Sequence, residues 1–368
     1  MGNFKALNTI TNNAQKKNEY YSERTPIILK TFLIMKINTA LVLLCSQLIF
    51  VSCKKDDKKP VQDQPAIVKD SVKTATTEEE IDFKNFNIYN VSTIQRKDLM
   101  DTFISVSDIY NGKDAIPADF LKKQKEVPFE KMAYIELDAP YRKKVLDGIH
   151  VAENDFLYLY NYETNKLQKI PVNKLKAVAY LSPYIIEGTE VDAESYMVGF
   201  QVDTQKGTDI FDRYMNVIAY FGSKNPFIEN KMKMIKWEKA GSDIQKKYFS
   251  GSTLKYGGTY QYKYENLTYY IQDLLEEYGP QERKLVVIDD HNQKIFEKTF
   301  TIEDGAEFTP LEKMPNEETN YYAQWTGRLF KGKAPVVFNF ITPSFGCHTI
   351  TFLDKEKTEL TINCDNRH

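Results

Sequence analysis

A single uncharged stretch, residues 37–51, constrains this 368-residue chain more than any other segment. Lys36 stands before it, and the polar residues inside it are Asn38, Thr39, Ser46 and Gln47. At about 15 residues it has the length of a signal-peptide apolar core, short of the roughly 20 needed to cross a bilayer. A longer segment, residues 27–51, could form a transmembrane helix. It would place Lys30 and Lys36 inside the span, at about 3 kcal/mol each unless their side chains snorkel. The stretch runs into Phe50, Val51, Ser52 and Cys53, and Lys54, Lys55, Asp56 and Asp57 follow directly.

An apolar residue, a small residue and then cysteine resembles the lipobox of bacterial lipoproteins, with Phe50 in place of the usual leucine. The resemblance implies a diacylglycerol thioether on Cys53 and cleavage just before it. Cys53 would then be an acylated N-terminus holding the protein to a membrane. Cys45 is a poorer match because the large Leu44 precedes it. The Lys54–Asp57 run resembles the charged export signal of surface lipoproteins in the Bacteroidota. The implied location is the outer membrane, lipid-anchored and facing either the surface or the periplasm. Residues 1–34 fit no signal n-region, which predicts a translation start at Met35. Ala6 stands where a myristoylation signal needs Ser or Thr. The body resembles other lipoproteins of the same bacteria, from which no functional residue carries over.

The first 52 residues carry six Lys or Arg and two acids, so the remainder has a formal charge near −6 against −2 for the whole chain. A mildly acidic chain without a basic block excludes nucleic acid as an expected partner. Residues 53–80 are rich in charge, contain Pro60 and Pro65 and lack aromatics, the composition of a disordered tether. Such a tether spans roughly 29 Å on average. A glycine-rich break at 250–258 divides the rest into an α+β domain, 81–249, and a β-sandwich-like domain, 250–368. The fold expected is mostly β with minor α.

Leu99, Met100, Phe103, Val106 and Ile109 recur at helical spacing and predict a helix over 97–110. Strands are expected at 132–137, 177–181, 195–202 and 214–221, and at seven places beyond residue 258. The clearest hairpin joins FLYLYNY at 156–162 to LQKIPV at 167–172. A turn centred on Thr164 and Asn165 places Leu157 opposite Val172 and Leu159 opposite Ile170. That makes one face aliphatic core and turns Tyr158, Tyr160 and Tyr162 to the other. A second hairpin turning at Lys355 and Glu356 aligns Thr349 with Ile362 and Cys347 with Cys364, predicting a disulfide. With Cys45 removed and Cys53 lipidated, these are the two cysteines left.

Motifs for metalloproteases, nucleophile elbows, phosphate loops and dinucleotide sites are absent from the sequence. No catalytic residue, metal site or cofactor is therefore expected. Asp289, Asp290 and His291 sit between two apolar runs, where a polar hairpin turn belongs. His348 adjoins Cys347, but a disulfide-bonded cysteine is no nucleophile. The aliphatic face opposite Tyr158, Tyr160 and Tyr162 leaves these rings as a candidate exposed binding surface. The expected function is a lipid-anchored, non-enzymatic binding module for a glycan or another envelope protein. The alternative is an envelope hydrolase whose acids meet at a domain interface.

Overall fold

The computed structural model describes residues 86–366, apart from 111, 113, 207–213, 303–304 and 312–322. Cys53, the signal stretch, the tether and residues 1–34 lie outside the described residues. No described helix is long and apolar enough to cross a membrane.

The architecture is mostly β, an α/β N-terminal region and a more β-rich C-terminal half-barrel. A nine-stranded sheet runs in the order Met232–Met234, Trp325–Gly327, Val336–Phe338, Thr349–Phe352, Glu359–Asn363, Ile88–Asn90, Val217–Gly222, Phe156–Asn161 and Lys166–Pro171. Among the described strands its one parallel pairing joins Ile88–Asn90 to Glu359–Asn363, with Ile88 opposite Ile362. The first and last described strands are thus neighbours. The sheet takes strands from both sides of the boundary expected at 250–258, and Gly257 and Gly258 lie inside the strand Lys255–Tyr264. All described residues fall in one unit, Ala75–His368. The glycine pair marks a β-bulge between Tyr256 and Thr259, which is where its small residues are needed.

A five-stranded sheet follows the order Ser92–Arg96, Leu99–Ser105, Tyr196–Lys206, Lys176–Leu181 and Tyr134–Glu136. Leu99–Ser105 is the segment predicted as helix. It has six consecutive buried residues, so both strand faces are covered and the period-two alternation that would identify it is missing. Its Asp101 is fully buried. The carboxylate accepts from the Tyr180 hydroxyl at 2.8 Å, the Thr204 hydroxyl at 2.6 Å and the Arg96 guanidinium. Arg96 in turn lies 4.2 Å from the Tyr134 ring centre.

Another five-stranded sheet, Glu238–Lys239, Lys255–Tyr264, Leu267–Glu276, Gly279–Ile288 and Lys294–Thr301, packs Tyr269, Ile271, Leu285 and Val287 against Val337, Phe340 and Leu353. Tyr260, Tyr262 and Tyr264 join this core, and the alternating Lys263 and Glu265 are exposed. The helix Ser242–Tyr248 and Phe249 cover the outer face through Tyr270, Val286 and Ile288. Asp289 forms the expected turn, its carboxylate accepting from the His291 and Gln293 N–H groups at 3.0 and 2.8 Å.

The hairpin register is Leu157 with Ile170 and Leu159 with Gln168, two residues from the expected pairing. Asn165 adopts φ 55° and Asn161 accepts from the N–H groups of Glu163 and Thr164, so the loop closes earlier than a two-residue turn at Thr164 would. A shift of two preserves faces. Leu157 and Leu159 accordingly enter the core beneath the helix Ala139–Gly148, with Val145 and Leu146.

The disulfide between Cys347 and Cys364 is formed, with the Cα atoms 5.6 Å apart. The ladder pairs Thr349 with Thr361, one residue from the expected register. Lys357 takes φ 54° and Asp354 accepts from the Thr358 N–H, so the turn holds an extra bulged residue. Cys364 lies past the end of its strand and still reaches Cys347. Alkylation without reductant should tag neither cysteine. Cys364→Ser should lower stability by about 3 kcal/mol in denaturant titrations, from the loop that the bond closes.

Candidate binding cleft

The three tyrosines proposed as an exposed strip do not form one. Tyr160 is 0% and Tyr158 3% exposed. Their face packs on Phe86, Ile218, Phe227, Trp325, Leu329 and Phe330, because the nine-stranded sheet curls its C-terminal strands over it. Tyr160 stacks on Phe227 with ring centres 5.2 Å apart, and its hydroxyl donates to Asn165 Oδ1 at 2.9 Å. Burial pushes the Tyr158 and Tyr160 hydroxyls up from their ordinary pKa. Both faces of this strand are core. Tyr162, half-buried against Trp325 and Phe338, reaches the wall of a cleft.

The chain assembles a larger cleft, of about 650 Å³, from segments that the sequence keeps far apart. The turn after Leu99–Ser105 supplies Ser107, Asp108 and Tyr110, the 3₁₀ turn Ala193–Ser195 and its cap supply Asp192 and Glu194, and the chain end supplies Asp365. Ser182, Tyr184 and Ile185 come from the loop after Lys176–Leu181. Four carboxylates line this cleft, and its described lining residues include no Lys or Arg.

Local chemistry fixes each part. Asp108 accepts from the backbone N–H groups of Cys364 and Asp365 at 2.8 and 2.9 Å, clamping the chain end beside the disulfide. Ser105 Oγ donates to Asp365. Ser107 Oγ accepts from the Val198 N–H at 2.8 Å, tying the turn to the neighbouring strand. Asp192 and Ser195 form a reciprocal capping box, with the Ser195 N–H donating to Asp192 Oδ1 at 3.0 Å. Burial pushes the Tyr196 hydroxyl, in the wall, up to about 12. Burial and the adjacent Asp114 carboxylate also raise Tyr110. Tyr184, in the lining, is 66% exposed.

This geometry suits a cation. Two carboxylates held by backbone donors cannot swing away, and converging negative charge focuses the field in a cleft. The exposed Tyr184 ring adds contact area. One oxygen of Asp108 and one of Asp192 accept fold-building hydrogen bonds, which fixes where their second oxygens stand. No group of three or more metal-ligating side chains occurs among the described residues. Sequence reasoning missed Asp108 because it fell within the supposed helix. The Asp192–Ser195 spacing is a readable cap signal, but nothing local connects it to Asp365. Comparison of the chain with family models, curated proteins and solved structures returns no match.

Proposed function

We propose that this protein is a lipid-anchored, non-enzymatic binding module of the bacterial outer membrane, which holds a basic segment of another envelope protein. The observation that carries the reading is the cleft whose described lining brings together Asp108, Asp192, Glu194 and Asp365 and includes no Lys or Arg, with exposed Tyr184 at its side. Charge complementarity selects Lys or Arg, and the Tyr184 ring selects an apolar neighbour in the partner. The lipobox and the Lys54–Asp57 run support acylation at Cys53 and an envelope location. In this reading the C-terminal strands are a sandwich-like support of two antiparallel layers.

Two measurements test the reading. Titration of the full chain in detergent with a Lys- and Leu-containing peptide should show binding that weakens steeply with salt. Asp192→Asn with Glu194→Gln, which keeps the cap, should weaken it about tenfold. Equal binding of a Glu-containing peptide would reject the site. Separately, intact-mass analysis of membrane-extracted protein should show an acylated N-terminal Cys53. A product that retains residues 35–52 would reject the anchor.

A further inference from the structure

Six strands of the nine-stranded sheet terminate at one end of it. Asn90 pairs with Ile218, Asn161 with Val217, Phe338 with Ile350, and Ile88 with Ile362. These pairings put the ends of Ile88–Asn90, Phe156–Asn161, Val336–Phe338 and Glu359–Asn363 beside the starts of Val217–Gly222 and Thr349–Phe352. The connecting residues enclose a cleft of about 430 Å³, within the size range of small-molecule sites. Loops at the ends of a rigid sheet are the usual place for binding residues.

The lining is chemically unlike the acidic cleft. None of its described residues is Asp, Glu, Lys or Arg, in a chain that is 27% charged. Its polar groups include Asn90, Ser92, Thr93, Asn216, Asn339 and Thr342, amides and hydroxyls that both donate and accept. The Asn90 amide is oriented by a bond to Ser92 Oγ and the Asn339 amide by a bond to the Ala323 carbonyl, which leaves their oxygens to the cleft. Asn216 and Asn339 adopt φ 61° and 70°, left-handed backbone that asparagine tolerates better than most residues. Tyr162 offers an aromatic surface, held by edge contacts to Trp325 and Phe338. Its hydroxyl donates to Asn216 Oδ1 at 3.1 Å, and Asn216 Nδ2 donates to Glu163 at 2.8 Å, which orients the amide. His348, an exposed residue, also lines the cleft, and partial desolvation lowers its imidazole pKa.

From this we infer a second binding site, for a neutral saccharide. A charged ligand entering the cleft would lose hydration without meeting a counter-charge among the described lining residues. An uncharged polyol instead exchanges its water for amides and hydroxyls of matching donor and acceptor capacity, while an aromatic ring meets its C–H face. This site is distinct from the acidic cleft. Cys364 lines the saccharide site and its neighbour Asp365 lines the acidic one.

The test is an array of neutral gluco- and manno-oligosaccharides, with uronic-acid and amino-sugar counterparts, probed with the full chain in detergent. Neutral members should bind in preference to the charged ones. Asn90→Lys combined with Thr342→Lys, one substitution on each wall, should reduce binding at least tenfold while the melting temperature holds. Bound sugar should also slow amide hydrogen exchange in wild-type protein at 90–93 and 339–342, which is informative even if the double variant folds poorly. Failure of every neutral saccharide to bind would overturn the inference. So would protection confined to other segments, or full binding by a folded double variant.

Discussion

Tyr160→Ala should lower stability by about 3–5 kcal/mol, the range for truncating a buried aromatic. The residue has no exposed surface, stacks on Phe227 and lies among side chains from both ends of the chain. Removing the ring leaves a cavity between strands that cannot close without changing the curvature of the sheet. Its hydroxyl also bonds Asn165, whose Oδ1 accepts the Met232 N–H at 3.1 Å as well. The substitution therefore loosens the hairpin turn and the edge strand Met232–Met234 together. Denaturant titration gives the free energy directly, and a fall of melting temperature on the order of 10 °C should accompany it. A change within about 0.5 kcal/mol, as at surface sites, would contradict the burial described for this face.

The second large effect is expected at Asp101. Asp101→Ala should cost about 3–5 kcal/mol, because it strands the Arg96 guanidinium and leaves the Tyr180 and Thr204 hydroxyls without their acceptor. The same group predicts an acid limit. Burial acts to raise the Asp101 pKa, but the hydrogen bonds from Arg96, Thr204 and Tyr180 outweigh it and hold the carboxyl below its ordinary value. A depressed folded-state value means the unfolded chain takes up the proton first. Its contribution to stability is complete above about pH 4, the ordinary range for Asp. It is lost as pH falls through the lower folded-state value. Wild-type stability should therefore drop more steeply below about pH 4 than that of Asp101→Asn, which has no carboxylate to protonate. Parallel curves for the two proteins would refute this role.

Local chemistry made several features legible in the amino-acid sequence. The Cys347–Cys364 bond followed from a hairpin whose turn residues and cysteine spacing are all within eighteen positions. An error of one residue in register did not matter, because Cys364 lies outside the ladder. The aliphatic face of Leu157 and Leu159 was likewise readable, since a register slip of two returns each side chain to the same side. The turn at Asp289 needed only flanking apolar runs.

Long-range packing decided the rest. Alternation along residues 156–162 says that the tyrosines oppose the leucines, and it says nothing about whether a second layer covers them. That layer comes from residues 325–352, over 160 positions away, and arrives only when the sheet curves. The strand Leu99–Ser105 was unreadable for the same reason. A segment buried on both sides loses the polar alternation that marks a strand, and its buried Asp101 adds a misleading polar position at a site satisfied by Arg96, Tyr180 and Thr204. Both clefts share this origin. Asp108 meets Asp365, and Asn90 and Asn339 line one cleft, because the first and last described strands run side by side. Sequence patterns report the periodicity of each strand, whereas the order of strands within a sheet rests on contacts between residues hundreds of positions apart.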